Sequence, residues 1–175
     1  MKVLILAGGT GGHVYPALSV AKEFKKNEFS ISWLGKKDSL ESKLSKAESF
    51  NFISLDTKGF QGKNIFGKII SLIYLEINFV KSIFIIKKIK PDIVFSTGGY
   101  VTLAPALASY ILSIPLFIHE QNSVPGLVNR ILNRFSKLTF EAFPDSFNKS
   151  SKIRTVGNPV RSGIIKNPST EAKKK

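Results

Sequence analysis

The chain has 175 residues, of which 43% are hydrophobic and 22% charged, so it can build one domain whose core buries roughly 70% of the unfolded surface. Thirteen glycines and eight prolines are too few for a collagen-like or low-complexity chain, and the lack of cysteine excludes disulfides, thiolate metal sites and cysteine nucleophiles. Twenty-six Lys and Arg against 12 Asp and Glu leave a net charge of +14, which favours polyanionic partners such as acidic lipid, nucleic acid or phosphorylated substrates. A lysine-rich composition arising from codon bias is the competing account, and the terminal Lys173, Lys174 and Lys175 read as solvated.

Met1 and Lys2 lead into an apolar run, residues 3–7, too short for a signal-peptide core and without a small-residue cleavage site, so a cytoplasmic protein is expected. Residues 2–6 read as a strand, followed by a glycine loop and a helix over 16–24. A strand over 30–34 precedes a helix over 39–47, and a strand over 52–55 precedes a long helix over 65–89 closed by Lys90-Pro91. Strands over 92–95 and 116–118 lead into helices over 102–112 and 125–135, and strands over 138–140 and 153–156 complete the pattern. This alternation predicts right-handed βαβ units and hence an α/β fold with a doubly wound parallel sheet. The long helix carries Lys68, Glu76, Asn78 and Lys81, whereas a spanning helix needs about 20 predominantly apolar residues, so no membrane crossing is expected.

In a doubly wound sheet, ligands sit beyond the carboxyl ends of the strands, and three loops there are unusual. Gly8-Gly9-Thr10-Gly11-Gly12-His13 follows the first strand; its glycines permit positive φ and close approach to an anion, and the next helix adds a partial positive charge. It matches neither the dinucleotide fingerprint nor a P-loop, and a tight strand-to-helix turn is the alternative reading. Thr97-Gly98-Gly99-Tyr100 follows the fourth strand, and two such loops in one crevice suit a diphosphate; Tyr100 either stacks on a ligand or caps the sheet edge. His119-Glu120-Gln121-Asn122 follows the fifth strand, and four consecutive polar residues there are hard to explain as core. His119 with Glu120 as a metal pair is set aside, because neighbours point to opposite faces and no third ligand is visible. His13 is a candidate general base, with orientation of its own loop as the competing role. Gly157-Asn158-Pro159 forms a rigid turn that either aims Arg161 at a phosphate or simply ends the domain.

Residues 58–90 hold seven lysines and one acid, Glu76, among many apolar side chains. On a helical wheel Ile69, Ile73, Ile77, Val80 and Phe84 form the expected core face. Tyr74, Leu75, Ile85 and Ile86 are left on the outside with Lys68 and Lys81, as a site that docks on an anionic membrane surface needs. A helix buried in a larger assembly is the alternative.

Taken in order, Gly8 to Val14 with Pro16, Gly98-Gly99-Tyr100, His119 to Asn122 and Val156-Gly157-Asn158-Pro159-Val160-Arg161 resemble the amino-terminal half of the MurG family. These are the bacterial transferases that move N-acetylglucosamine from UDP-GlcNAc to the lipid-linked muramyl-pentapeptide, lipid I, to give lipid II. The resemblance covers Met1 to about Arg161. It implies the acceptor-side, Rossmann-like domain of a two-domain GT-B glycosyltransferase and an inverting reaction without metal or cofactor, in which the muramyl C4 hydroxyl attacks the sugar carbon as UDP leaves. Carried over by position, Thr10, Gly11, Gly12, Asn122 and Arg161 would help hold the donor. Gly8, Gly9, Gly98, Gly99, Tyr100, His119 and Glu120 would serve the acceptor diphosphate, and His13 matches a histidine often considered as the base. The patch of Lys68, Tyr74, Leu75, Lys81 and Ile85 would dock peripherally on the inner face of the cell membrane.

The family enzymes are roughly twice as long. Residues 1–161 are therefore expected to form the acceptor and membrane-binding domain, and 162–175 a linker or truncated tail. The donor domain has no counterpart here, so the chain alone is expected to be inactive and to call for a donor-domain partner. A noncatalytic membrane module that binds a lipid diphosphate and one subunit of a split glycosyltransferase are the alternatives; a nucleic-acid binder would need a recognisable module, and none is visible.

Overall fold

The computed structural model describes residues 1–55 and 65–160, with side chains described outside 65–69. Seven strands form one sheet: β1 (Lys2–Ala7), β2 (Ser30–Gly35), β3 (Asn51–Ser54), β4 (Ile93–Gly98), β5 (Leu116–Glu120), β6 (Leu138–Glu141) and β7 (Ile153–Thr155). Their order is β3-β2-β1-β4-β5-β6-β7 and every pairing is parallel. The chain winds outward from β1 to β3, returns to β4 beside β1 and continues to β7, so the strand order reverses between β1 and β4. The expected doubly wound sheet is thus borne out. Its switch point lies between the two strands that carry the glycine loops.

The central strands are buried on both faces, which is why they read as continuous apolar runs. Along β1, Val3 and Ile5 pack in one core cluster with Val14, Ala17 and Trp33, while Leu4 and Leu6 pack in the other with Ile86, Leu116 and Ile118. Helices α1 (Gly11–Lys26), α2 (Leu40–Ala47), α3 (Ile65–Ile89), α4 (Leu103–Ile111) and α5 (Leu127–Leu132) cover these faces, and a short 3-10 turn, Tyr100–Thr102, precedes α4.

Two boundaries differ from expectation at the functional edge. Helix α1 starts at Gly11, so Pro16 lies inside the helix and the residue that caps it is Thr10, extended at φ −115 and ψ 159. Proline favours a first turn without requiring one, and the glycines themselves become the first turn. Strand β5 runs through His119 and Glu120; four polar residues in a row read as loop, yet the first two are strand residues with buried side chains.

Helix α3 corrects the wheel, which is inverted. The face turned to α4 carries Ser71, Asn78, Ser82 and Ile86, at most 2% exposed. The expected core residues Ile73, Ile77, Val80 and Phe84 are instead 49, 45, 52 and 69% exposed. Tyr74 and Leu75 are half-buried, as is Ile85, which packs against the core. Small side chains on α3 meet an α4 that buries Ala104, Ala106, Ala108 and Ser109, and this lets the two backbones approach closely. A reading that ranks faces by hydrophobicity places serine and asparagine outside. Lys81 is exposed as expected, while the side chains of Lys68 and of Ile69, the fifth expected core residue, lie outside the described residues.

Candidate active site at the switch point

The two glycine loops are packed against each other, backbone on backbone. A Cβ on Gly99, which has φ +95, would stand 2.1 Å from the Gly8 carbonyl oxygen. On Gly8 it would stand 2.5 Å from Glu41 Oε1 and 2.6 Å from Val101 Cγ1, and on Gly98 (φ +97) 2.9 Å from Asn129 Oδ1. These three glycines are required by the packing itself. Gly9 and Gly12 differ: a Cβ on Gly9 meets nothing within 4 Å, and one on Gly12 only Thr10 Oγ1 at 3.6 Å. Gly9, at φ +98, and the first turn of α1 therefore leave backbone open to a ligand at a helix N-terminus.

His13 stands in that first turn and reaches across to β4 and β5. Its Nδ1 lies 2.9 Å from the Thr97 carbonyl oxygen and 2.9 Å from Gln121 Nε2. The Gln121 amide donates to the same carbonyl at 2.7 Å, and Thr97 Oγ1 donates back to the His13 carbonyl at 2.8 Å. This network holds the half-buried ring by one edge, and Nε2 takes no hydrogen bond from the described residues.

At the end of β5, His119 and Glu120 are 2% and 0% exposed. Both side chains are turned into the protein. Glu120 Oε1 accepts from the Asn122 backbone and side-chain amides, both at 2.9 Å, and Oε2 accepts from the Gly126 backbone at 3.1 Å and Asn129 Nδ2 at 2.9 Å. The carboxylate thus builds the loop and the entry to α5. The His119 Nε2–H donates to the Gly157 carbonyl at 3.0 Å, and Nδ1 is buried without a partner. Burial lowers the His119 pKa below the ordinary imidazole value, against the opposing pull of the Gly157 hydrogen bond and the nearby Glu120 charge. Asn122, held by Glu120, is exposed. Tyr100 is half-buried in the 3-10 turn, and Arg161 lies outside the described residues.

Two structural participants carry no sequence signal of their own. Asn129 is 1% exposed and its Nδ2 also donates to the His119 carbonyl at 3.2 Å; in the sequence it is one polar residue in a helix. Glu41, 1% exposed, accepts from the Lys36 backbone at 3.1 Å beneath Gly8; in the sequence it reads as an acid in the first turn of a helix. Among the described residues no group of three metal-ligating side chains comes together.

Residues 3–141, from β1 to the end of β6, match the glycosyltransferase family 28 N-terminal domain. The chain belongs to this family. It is 42% identical over 171 residues to the UDP-N-acetylglucosamine--N-acetylmuramyl-(pentapeptide) pyrophosphoryl-undecaprenol N-acetylglucosamine transferase of Coxiella burnetii, covering 95% of this chain and 46% of that protein. The transferase of the same name from Stutzerimonas stutzeri is 43% identical over 167 residues, covering 93% and 46%. The crystal structure of Acinetobacter baumannii MurG superposes with a TM-score of 0.80 at 34% identity, over 91% of this chain and 46% of that one. A UDP-GlcNAc 2-epimerase from Neisseria meningitidis superposes at 0.67 with 17% identity, covering 91% and 47%, a likeness of fold alone. The expected resemblance to the amino-terminal half of MurG is borne out, and the chain spans about half the length of the relatives it matches.

Proposed function

We propose that this family 28 domain is the acceptor-side half of a transferase that moves N-acetylglucosamine from UDP-GlcNAc to the C4 hydroxyl of lipid I, giving lipid II for peptidoglycan synthesis. The observation that carries the reading is the seating of the Gly8 carbonyl against Gly99 at the switch point, which brings both glycine loops to one edge of the sheet. Gly8 and Gly9 then serve the acceptor diphosphate, beside Gly98, Gly99 and Tyr100. Thr10, Gly11, Gly12 and Asn122, with Arg161 beyond the exit turn, serve the donor, and His13 meets the reacting groups through Nε2. His119 and Glu120 act from beneath, by holding Gly157 and Asn122.

The domain works peripherally on the inner face of the membrane. Support comes from the exposed stripe of Ile73, Ile77, Val80 and Phe84 on α3, beside exposed Lys81, Lys87 and Lys88, none of which joins an ion pair among the described residues. Apolar insertion combined with attraction to anionic headgroups suits such a surface. No helix among the described residues is long and apolar enough to cross a membrane.

A titration of the chain with a short-chain lipid I analogue tests the acceptor half of the reading. Saturable binding that is lost when the diphosphate is removed from the analogue is expected; equal affinity with and without the diphosphate contradicts it.

A further inference from the structure

We propose that His119 is a positioning residue that clamps the turn by which the chain leaves the sheet. Gly157 offers a carbonyl, which can only accept, so the 3.0 Å contact assigns the proton of the neutral ring to His119 Nε2. Two residues along, the Gln121 carbonyl accepts from Asn158 Nδ2 at 3.2 Å. His119 by its side chain and Gln121 by its backbone carbonyl thus tie consecutive residues of the turn to alternate residues of β5 and its continuation.

Among the described residues, apolar burial of this turn is limited to the half-buried Pro159. Strand β7 has only three residues, and beyond it Val156 and Val160 are 58% and 51% exposed. Gly157, at φ +77, has nothing within 4 Å of an added Cβ. Two hydrogen bonds, one of them from an imidazole 2% exposed, therefore fix the direction taken by Asn158, Pro159 and Val160 among the described residues. Between the two anchors, Glu120 holds Asn122 and the entry to α5, and Gln121 also binds Thr97 and His13. One strand end thus arranges the glycine edge and the chain exit together. This rests on the transferase reading only for what lies beyond the turn, namely the side that meets the donor; the clamp itself belongs to this domain.

Backbone 15N relaxation on the whole chain tests it. Order parameters of Gly157, Asn158 and Val160 near the rigid value of about 0.85 are expected in the parent chain, falling below about 0.6 in His119→Asn, whose amide is too short to reach. His119→Gln keeps an N–H at the reach of Nε2 and restores them, and the β1 to β4 amides stay unchanged throughout. Asn158→Ala, at an exposed position, loosens the same three residues in part without a core change. Unchanged order parameters in both His119→Asn and Asn158→Ala overturn the clamp. Failure of the transferase reading shows separately, as loss of diphosphate-dependent lipid binding by the parent chain with these order parameters intact.

Discussion

The carboxyl edge of the sheet and the outer face of α3 break the rule of apolar inside and polar outside in opposite senses. At the edge, His119, Glu120, Gln121 and Asn129 are buried, and hydrogen bonds to loops and to one another organise them. On α3, Ile73, Ile77, Val80 and Phe84 face outward while Ser71, Asn78 and Ser82 face in. Buried polar groups need partners, and those at the edge shape a site. Exposed apolar groups need a neighbour of their own kind, and a contiguous stripe of them marks a docking surface. The two departures share one domain because, in the proposed reaction, the acceptor is tethered to a membrane and its sugar must meet the glycine loops.

The largest effect is expected where the glycine loops touch. Gly99→Ala drives a Cβ into the Gly8 carbonyl at a positive φ and should cost more than about 3 kcal/mol, or prevent folding. Gly12→Ala, with open space and helical geometry, should be neutral or stabilise by up to about 1 kcal/mol. Urea denaturation of the pair checks the contrast, and equal losses would show that the loops are not packed as described.

Glu120→Ala comes next. It strips acceptors from Asn122, Gly126 and Asn129 and should destabilise by roughly 2–4 kcal/mol. The α3 face sharpens the comparison from the other side: Ile77→Ser with Phe84→Ser should leave stability within about 0.5 kcal/mol per site and reduce sedimentation with anionic vesicles. Ser82→Leu, on the inner face, should cost about 1–3 kcal/mol through overpacking against α4.

The smallest effect concerns acid. Because burial lowers the His119 pKa below 6.5, the unfolded chain binds more protons than the folded one in the interval below that value. Stability contributed by the neutral ring is complete above about pH 6.5 and declines as pH falls toward the folded value. Denaturation midpoints measured between pH 7.5 and 5, about the ordinary imidazole value, should fall more steeply for the parent chain than for His119→Gln.

The parallel strands and both glycine loops were legible in the sequence because buried parallel strands are apolar throughout and loop glycines stand at their ends. Helix α1 hid its start because Pro16 is the stronger boundary signal, although Thr10 and Gly11 open the helix. The α3 faces were illegible for a related reason. The buried face of α3 carries Ser71, Asn78 and Ser82 beside Ile86, so the hydrophobic count points the wrong way. His119 and Glu120 were found as unusual residues, but their structural partners were not, since a sequence does not show that four hydrogen bonds enclose a carboxylate. Asn129 and Glu41 could not be found, because only the fold brings them beneath the glycines.

The central claim is a competent acceptor half. It is tested most directly by following labelled N-acetylglucosamine from UDP-GlcNAc to a short-chain lipid I analogue, with this chain alone and then with the carboxyl-terminal domain of a family relative supplied in trans. Transfer that requires both halves is the predicted result. A chain that binds the analogue yet supports no transfer with the added half would contradict it and leave a noncatalytic lipid-diphosphate module.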